Sequence, residues 1–217
     1  MKNVEAVIFD MDGVIFDTES VYLDIWTKVF NKYKYKLERD VYISVMGTGR
    51  KNVMKVFTNR YGEDLPILDM YKEKDEMLLQ VIESGQVPMK KGANEILKSL
   101  KDSGFKIALA TSAKRERLKK QLKMSEIEWI FDTIVCGDDV INGKPNPEIF
   151  LKAAKNISVN PENCVVIEDS VAGIKAAHSA EMIAIHVEDL KKADKEILNH
   201  CYKNFNNLFE IKEYLMK

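Results

Sequence analysis

Five short, almost uninterrupted apolar runs constrain this chain more than any other feature of its sequence. They are Ala6-Val7-Ile8-Phe9, Ile107-Ala108-Leu109-Ala110, Thr133-Ile134-Val135-Cys136, Cys164-Val165-Val166-Ile167 and Ile183-Ala184-Ile185-His186-Val187. A strand with one wet face alternates in polarity, whereas a continuous run of this length suits a strand buried on both faces. Helical spacing fills the gaps. Ala93, Ile96, Leu97 and Leu100 form one pattern, stopped by Gly104, and Ile149, Phe150, Ala153 and Ala154 form another behind Pro147. A third, Val171, Ile174, Ala177 and His178, follows Ser170, which reads as an N-cap. Strand and helix in alternation require crossover connections, hence a parallel sheet covered by helices.

Residues 17–86 break that rhythm and contain no convincing strand. Val21, Tyr22, Ile25, Trp26, Val29 and Phe30 are spaced as one helix face, Val53, Val56 and Phe57 as a second, and Leu68, Tyr71, Asp75, Leu78, Leu79 and Ile82 as a third. An all-helical insert therefore follows the first strand, with hinges expected at Val14-Ile15-Phe16 and Gly85-Gln86-Val87-Pro88. The expected division is 1–16 with 87–217 as the α/β core and 17–86 as the insert. The tail from Asn206 to Lys217 reads as a closing amphipathic helix.

Charge and composition exclude several classes. With 33 Lys and Arg against 34 Asp and Glu, the net charge of −1 offers no global attraction to nucleic acid or to anionic lipid. No apolar run approaches a membrane span, and the start, Met1-Lys2-Asn3-Val4-Glu5, lacks the apolar region of a signal peptide. Three scattered cysteines, Cys136, Cys164 and Cys201, argue against a disulfide framework or a zinc site. The chain reads as a cytoplasmic, reduced, soluble protein without nucleic-acid or membrane partners, and a monomer is the default.

Ligands of parallel sheets bind beyond the C-terminal ends of the strands. There the sequence places Asp10-Met11-Asp12-Gly13 after the first run, Thr111-Ser112 after the second, and Gly137-Asp138-Asp139 after the third. Gly143-Lys144-Pro145 follows a few residues on, and Glu168-Asp169-Ser170 follows the fourth run. No apolar core needs such a set. Metal-assisted phosphoryl transfer does, because bare carboxylates would repel a phosphoryl group unless a hard cation lay between them. Asp10, Glu168 and Asp169 could bind Mg²⁺, and one carboxylate could attack phosphorus. Asp12, two residues further along an extended chain, could protonate the leaving alkoxide and later activate water. Thr111 could hydrogen-bond a phosphoryl oxygen, and Lys144 could neutralise charge and orient the nucleophile.

In this order, Asp10-x-Asp12-Gly13-Val14, a helical insert, Thr111, Lys144-Pro145 and Glu168-Asp169-Ser170 resemble the haloacid dehalogenase superfamily, and within it the β-phosphoglucomutase-like phosphatases. The likeness covers nearly the whole chain. It implies a Rossmann-like α/β core with an inserted helical cap that closes over substrate, Asp10 as nucleophile and Mg²⁺ ligand, and Asp12 as acid/base and a second ligand through its backbone carbonyl. It also implies Thr111, Ser112 and Lys144 on the phosphoryl group, Asp169 with Glu168 completing the metal site, and a small phosphorylated metabolite, a sugar phosphate, as substrate. In the cap, Gly47-Thr48-Gly49-Arg50-Lys51 matches a specificity loop, with Arg50 as the substrate contact. Dehalogenases of the superfamily lack a carboxylate at the place of Asp12, so Asp12 points to phosphate esters. The mutases of the subfamily carry a His on the first cap helix where this chain has Tyr22, which favours a phosphatase over a phosphomutase.

Other residues read as structural. Asp17 and Thr18 are expected to cap the first cap helix, Asp138 and Asp139 to form a turn, and His178, His186 and His200 to pack. Gly137 to Lys144 fails as a phosphate-binding P-loop, since Pro145 stands where a Ser or Thr must meet Mg²⁺. A non-catalytic phospho-receiver would also present an Asp at a strand end, but needs neither Asp12 nor a cap.

Overall fold

A computed structural model describes residues 3–46, 50–85, 87–190 and 192–217. The five apolar runs form β1 (Ala6–Phe9), β2 (Lys106–Ala110), β3 (Thr133–Val135), β4 (Cys164–Glu168) and β5 (Ile183–Val187), and a sixth strand, β6 (Lys203–Phe205), joins them. All neighbours are parallel, in the order β3-β2-β1-β4-β5-β6. Period-two alternation divides the core into two layers. Val7, Phe9, Ile107, Leu109, Val165 and Ile167 face one side, and Ala6, Ile8, Ala108, Ala110, Cys164 and Val166 face the other. Helices α5 (Ala93–Asp102), α6 (Arg115–Ser125) and α10 (Leu208–Leu215) cover the first layer through residues such as Leu97, Leu118 and Ile211. Helices α7 (Glu148–Asn156), α8 (Val171–Ser179) and α9 (Lys195–His200) cover the second through Phe150, Ile174 and Ile197. The fold is therefore an α/β, Rossmann-like parallel sheet, as the runs imply.

The chain leaves β1 for β2 on one side and enters β4 on the other, so the strand order reverses between β1 and β4. That reversal opens a crevice at their C-terminal ends, where an α/β sheet binds its ligand. Asp10 leaves β1 at this point, and its backbone N–H donates to the Ile167 carbonyl at 3.0 Å.

Between β1 and α5 the chain forms α1 (Thr18–Lys32), α2 (Arg39–Val45), α3 (Arg50–Tyr61) and α4 (Ile67–Ser84). They enclose a separate core of Ile25, Trp26, Val29, Phe30, Phe57, Met70 and Tyr71. Its aromatic rings meet edge to face, with Trp26–Tyr71, Phe30–Phe57 and Trp26–Phe57 centroids 4.9, 5.2 and 5.3 Å apart. The first connection to the main body is pinned by backbone bonds, Asp17 N–H to Pro88 O at 2.8 Å and Lys90 N–H to Ile15 O at 2.9 Å.

Several local expectations need correction. Helices α6 and α9 and strand β6 carry too few apolar residues to announce themselves, and α2 is too short to show a helical period. Their burial comes from few side chains: Ile197 in α9, Phe205 in β6, Tyr42 and Val45 in α2, and Leu118, Gln121 and Leu122 in α6. Ser170 does cap α8, its hydroxyl accepting from Gly173 N–H at 3.0 Å. Asp17 occupies the N-cap position of α1 but makes no side-chain cap bond, because its backbone (φ −81°, ψ 58°) lies outside the extended region that a capping side chain uses. Its Oδ1 and the Thr18 hydroxyl are buried without a partner among the described residues.

Candidate active site

The predicted strand-end residues converge on the crevice. Lys144, arriving on the loop before α7, is its hub. Its Nζ donates to Asp10, to Glu168 Oε1 at 2.8 Å and to the Ala110 carbonyl at 3.2 Å. Burial works against the Lys144 charge, but the Asp10 and Glu168 carboxylates outweigh it and raise its pKa. Burial pushes the Asp10 carboxyl up to about 7, Lys144 pulling it down and Glu168 pushing it up. Burial, then Glu168 and Asp10, hold Asp169 well above the ordinary carboxylate range.

Oxygens of Asp10, Glu168 and Asp169 all lie within 4.8 Å of one another. Lys144 engages the first two, and Asp169 has no ion-pair partner among the described residues. Crowded oxygen donors, with the charged forms of Asp10 and Asp169 disfavoured, suit a small hard cation such as Mg²⁺, which would relieve both the burial and the mutual repulsion. The backbone is shaped to permit this crowding. A Cβ on Gly13 would stand 2.3 Å from Asp169 Oδ2, and one on Gly173 would stand 1.8 Å from Glu168 Oε1. Gly13 also has φ +79°, a left-handed conformation that side chains resist.

Thr111 is buried at the end of β2, its hydroxyl accepting from Ala113 N–H at 3.0 Å, and Ser112 beside it is exposed. Asp12 lies one step out from Asp10. Both of its carboxylate oxygens accept from Arg117, at 3.0 and 2.6 Å. Asp12 also lines a cavity of about 430 Å³ between core and cap, together with Glu19, Tyr22, Arg50, Tyr71 and Lys74. Arg50 is exposed, lies 4.3 Å from the centre of the Tyr71 ring and reaches Asp75 at 3.4 Å. Gly47, Thr48 and Gly49 of the expected specificity loop lie outside the described residues.

Lys74 and Glu19, which line the cavity, escaped the sequence reading, and His186 packs as expected. Lys74 is buried, its ammonium within 6.0 Å of the rings of Tyr71, Tyr22 and Trp26 and paired with Asp75. Burial lifts Glu19 to about 7, only partly offset by the Tyr42 hydroxyl that donates to it at 3.1 Å. His186, fully buried on β5, bonds the Asp169 carbonyl at 3.0 Å and Asn204 Oδ1 at 2.6 Å, so it braces the acidic loop from behind. Nothing in the sequence singles these out from ordinary helix and strand positions.

Asp138 and Asp139 form the expected turn. Asp139 accepts from Cys136 N–H at 2.7 Å and Asp138 from Arg115 N–H at 3.2 Å, so their proximity to Cys136 is accounted for by turn and helix-start contacts. All three cysteines are unpaired thiols. No helix among the described residues is long and apolar enough to cross a membrane.

The family model for haloacid dehalogenase-like hydrolases matches residues 7–187. The chain belongs to that family. Similar proteins include a Thermotoga maritima protein named phosphorylated carbohydrates phosphatase, 34% identical over 191 residues and 84% of either chain. They also include the Bacillus subtilis β-phosphoglucomutase, 30% identical over 194 residues, covering 85% of this chain and 83% of that one. The crystal structure of a haloacid dehalogenase family hydrolase from Deinococcus radiodurans superposes with a TM-score of 0.88 over 99% of this chain and 96% of the other. At 23% identity it speaks for the fold alone. The expectation of an enzyme of phosphatase type agrees with these relatives.

Proposed function

We propose that this haloacid dehalogenase-like hydrolase is a Mg²⁺-dependent phosphatase of a small phosphorylated metabolite, a sugar phosphate, acting through a phosphoryl-Asp10 intermediate. The observation that carries this reading is the group of Asp10, Glu168 and Asp169 oxygens within 4.8 Å, tied to Lys144 at the strand-order reversal, with Asp12 above it on the cavity wall. Asp10, Glu168 and Asp169, with the Asp12 carbonyl, would hold the Mg²⁺, whose charge would neutralise phosphoryl oxygens and carboxylates together. Thr111, Ser112 and Lys144 would hold the phosphoryl group in line with Asp10. The Asp10 carboxylate attacks phosphorus as the ester P–O bond breaks, and Asp12 gives its proton to the departing alkoxide. Asp12 then takes a proton from the water that attacks the phosphoryl-aspartate, releasing inorganic phosphate and free Asp10. Residues 17–86 would act as the cap that excludes bulk water.

The Thermotoga maritima relative's name supports a phosphorylated carbohydrate as substrate. So does the cap cavity, where Arg50 and Lys74 offer cations to a polar distal group. The resemblance to β-phosphoglucomutase makes isomerisation the alternative. Tyr22 argues against it. Burial raises its phenol above an already high ordinary pKa, so it cannot exchange a proton near neutrality as an imidazole can. With three unpaired thiols we place the protein in the cytoplasm.

The test is intact mass after brief incubation with acetyl phosphate and Mg²⁺. The Asp12→Ala protein should gain a covalent phosphoryl adduct of roughly 80 Da and lose it slowly, and Asp10→Ala should gain none. Label on Asp10→Ala, or mapping to Asp12, would reverse the assignment. Efficient conversion of β-glucose 1-phosphate to glucose 6-phosphate with little phosphate released would turn the reading to a mutase.

A further inference from the structure

Among the described residues, the Asp12 carboxylate is held by a single side chain. Arg117 donates from Nη1 to Oδ2 at 3.0 Å and from Nη2 to Oδ1 at 2.6 Å, a two-pronged contact that matches fork to carboxylate. These are its only side-chain hydrogen bonds among the described residues. Among the described residues its Nε is buried and unpartnered, as is the amide of Gln121 one turn along α6. The guanidinium thus keeps its fork on Asp12 even though another donor goes unpaired.

The backbone of Asp12 is fixed by a tight turn, with Ile15 and Phe16 N–H donating to the Met11 carbonyl and Gly13 N–H to that of Phe16. The turn sets where the side chain starts but not how it rotates. Among the described residues only Arg117 settles that. Each carboxylate oxygen has two lone-pair positions and the fork takes one from each, so a position remains for proton transfer.

Helix α6 is itself well anchored. The face that carries Arg117 also carries Lys120, whose Nζ lies 3.5 Å from Glu83 of α4, and Met124, which fills the space a Cβ on Gly85 would need, 2.1 Å away. The spacing of 117, 120, 121 and 124 puts all four residues on one helix face at the seam between core and cap.

We infer that Arg117 is the positioning residue for Asp12. It fixes the carboxylate in the rotamer that meets the leaving-group oxygen, and later the attacking water, at the mouth of the cap cavity. The inference rests on Asp12 being the acid/base of the proposed reaction. Its consequence is a dependence on the leaving group, because an alkoxide needs the proton and the acetate released from acetyl phosphate does not.

The experiment compares Arg117→Met, Arg117→Lys, Asp12→Asn and the Arg117→Met/Asp12→Asn double variant. Two rates are read: steady-state release of phosphate from glucose 6-phosphate, and phosphoryl labelling by acetyl phosphate. Arg117→Met should lose about 10²-fold in kcat on the sugar phosphate, the cost of a misplaced catalytic group, with KM little changed and labelling by acetyl phosphate at the wild-type rate. Arg117→Lys should recover only part of the loss, since an ammonium keeps the charge but not the fork. In the Asp12→Asn background the Arg117→Met change should cost nothing more. Equal losses on both substrates, full recovery with Lys, a gain in kcat, or a loss that persists in Asp12→Asn would each overturn the inference. If Asp12→Asn itself shows no leaving-group dependence, it is the acid/base reading of Asp12 that fails.

Discussion

Replacing Lys144 by Met should turn the active-site crevice into the least stable part of the protein. The substitution keeps most of the side chain's length but removes the ammonium and its hydrogen bonds to Asp10, Glu168 and the Ala110 carbonyl, leaving Asp10, Glu168 and Asp169 as three neighbouring carboxylates with oxygens within 4.8 Å. At its 2.8 Å separation the Lys144–Glu168 pair has a Coulomb attraction of about 6 kcal/mol at an effective dielectric of about 20. Desolvation of both charges offsets part of that, and removing one partner of a buried pair costs about 3–5 kcal/mol. At about 2–4 °C per kcal/mol for a domain of this size, the melting temperature should fall by roughly 6–20 °C. The assay is thermal unfolding in excess chelator at pH 7.5 and at pH 5. Asp10 is already raised to about 7 with Lys144 present, and losing that cation raises it further. As pH falls through this value Asp10 takes up its proton, its repulsion with its neighbours fades, and the difference between variant and wild type should shrink. Mg²⁺ at pH 7.5 should recover part of the loss. A destabilisation below about 1 kcal/mol, the worth of an ordinary exposed pair, or one that is the same at both pH values, would refute the reasoning.

Metal dependence should follow the same acid titration. Chelator should abolish turnover and Mg²⁺ restore it, and the apparent Mg²⁺ affinity by calorimetry should weaken as pH falls through about 7, where Asp10 takes up its proton. Gly173→Ala places a Cβ 1.8 Å from Glu168 Oε1, so it should displace that carboxylate and cost Mg²⁺ affinity as well as kcat. An unchanged affinity would show that Glu168 gives way harmlessly. Asp12→Ala should lower kcat on a sugar phosphate by ~10²–10⁴-fold, measured as released phosphate. Arg50→Ala should cost more with a sugar phosphate than with acetyl phosphate, and equal losses would remove Arg50 from substrate recognition.

The strands were readable because each is buried on both faces, so apolarity is continuous and needs no partner to be recognised. The paired carboxylates were readable for the opposite reason: Asp10, Glu168 and Asp169 interrupt or follow such runs where packing has no use for charge. The cap helices α1 and α4 showed through their spacing. Strand β6 did not, because Lys203-Asn204-Phe205 is an edge strand with a single buried residue, and its identity comes from pairing with β5. Arg117 sits in the run Lys114-Arg115-Glu116-Arg117-Leu118-Lys119-Lys120, which reads as a solvated helix face. Which of those cations meets Asp12, more than a hundred positions away, depends on how α6 lies against the β1 turn. The same is true of Lys74 among its aromatic rings and of His186 behind Asp169. Periodicity and residue type register what a side chain must avoid, water or apolar surroundings. They carry no record of the long-range partner that a particular charge will find, because that choice is made by the packing of elements distant in the chain.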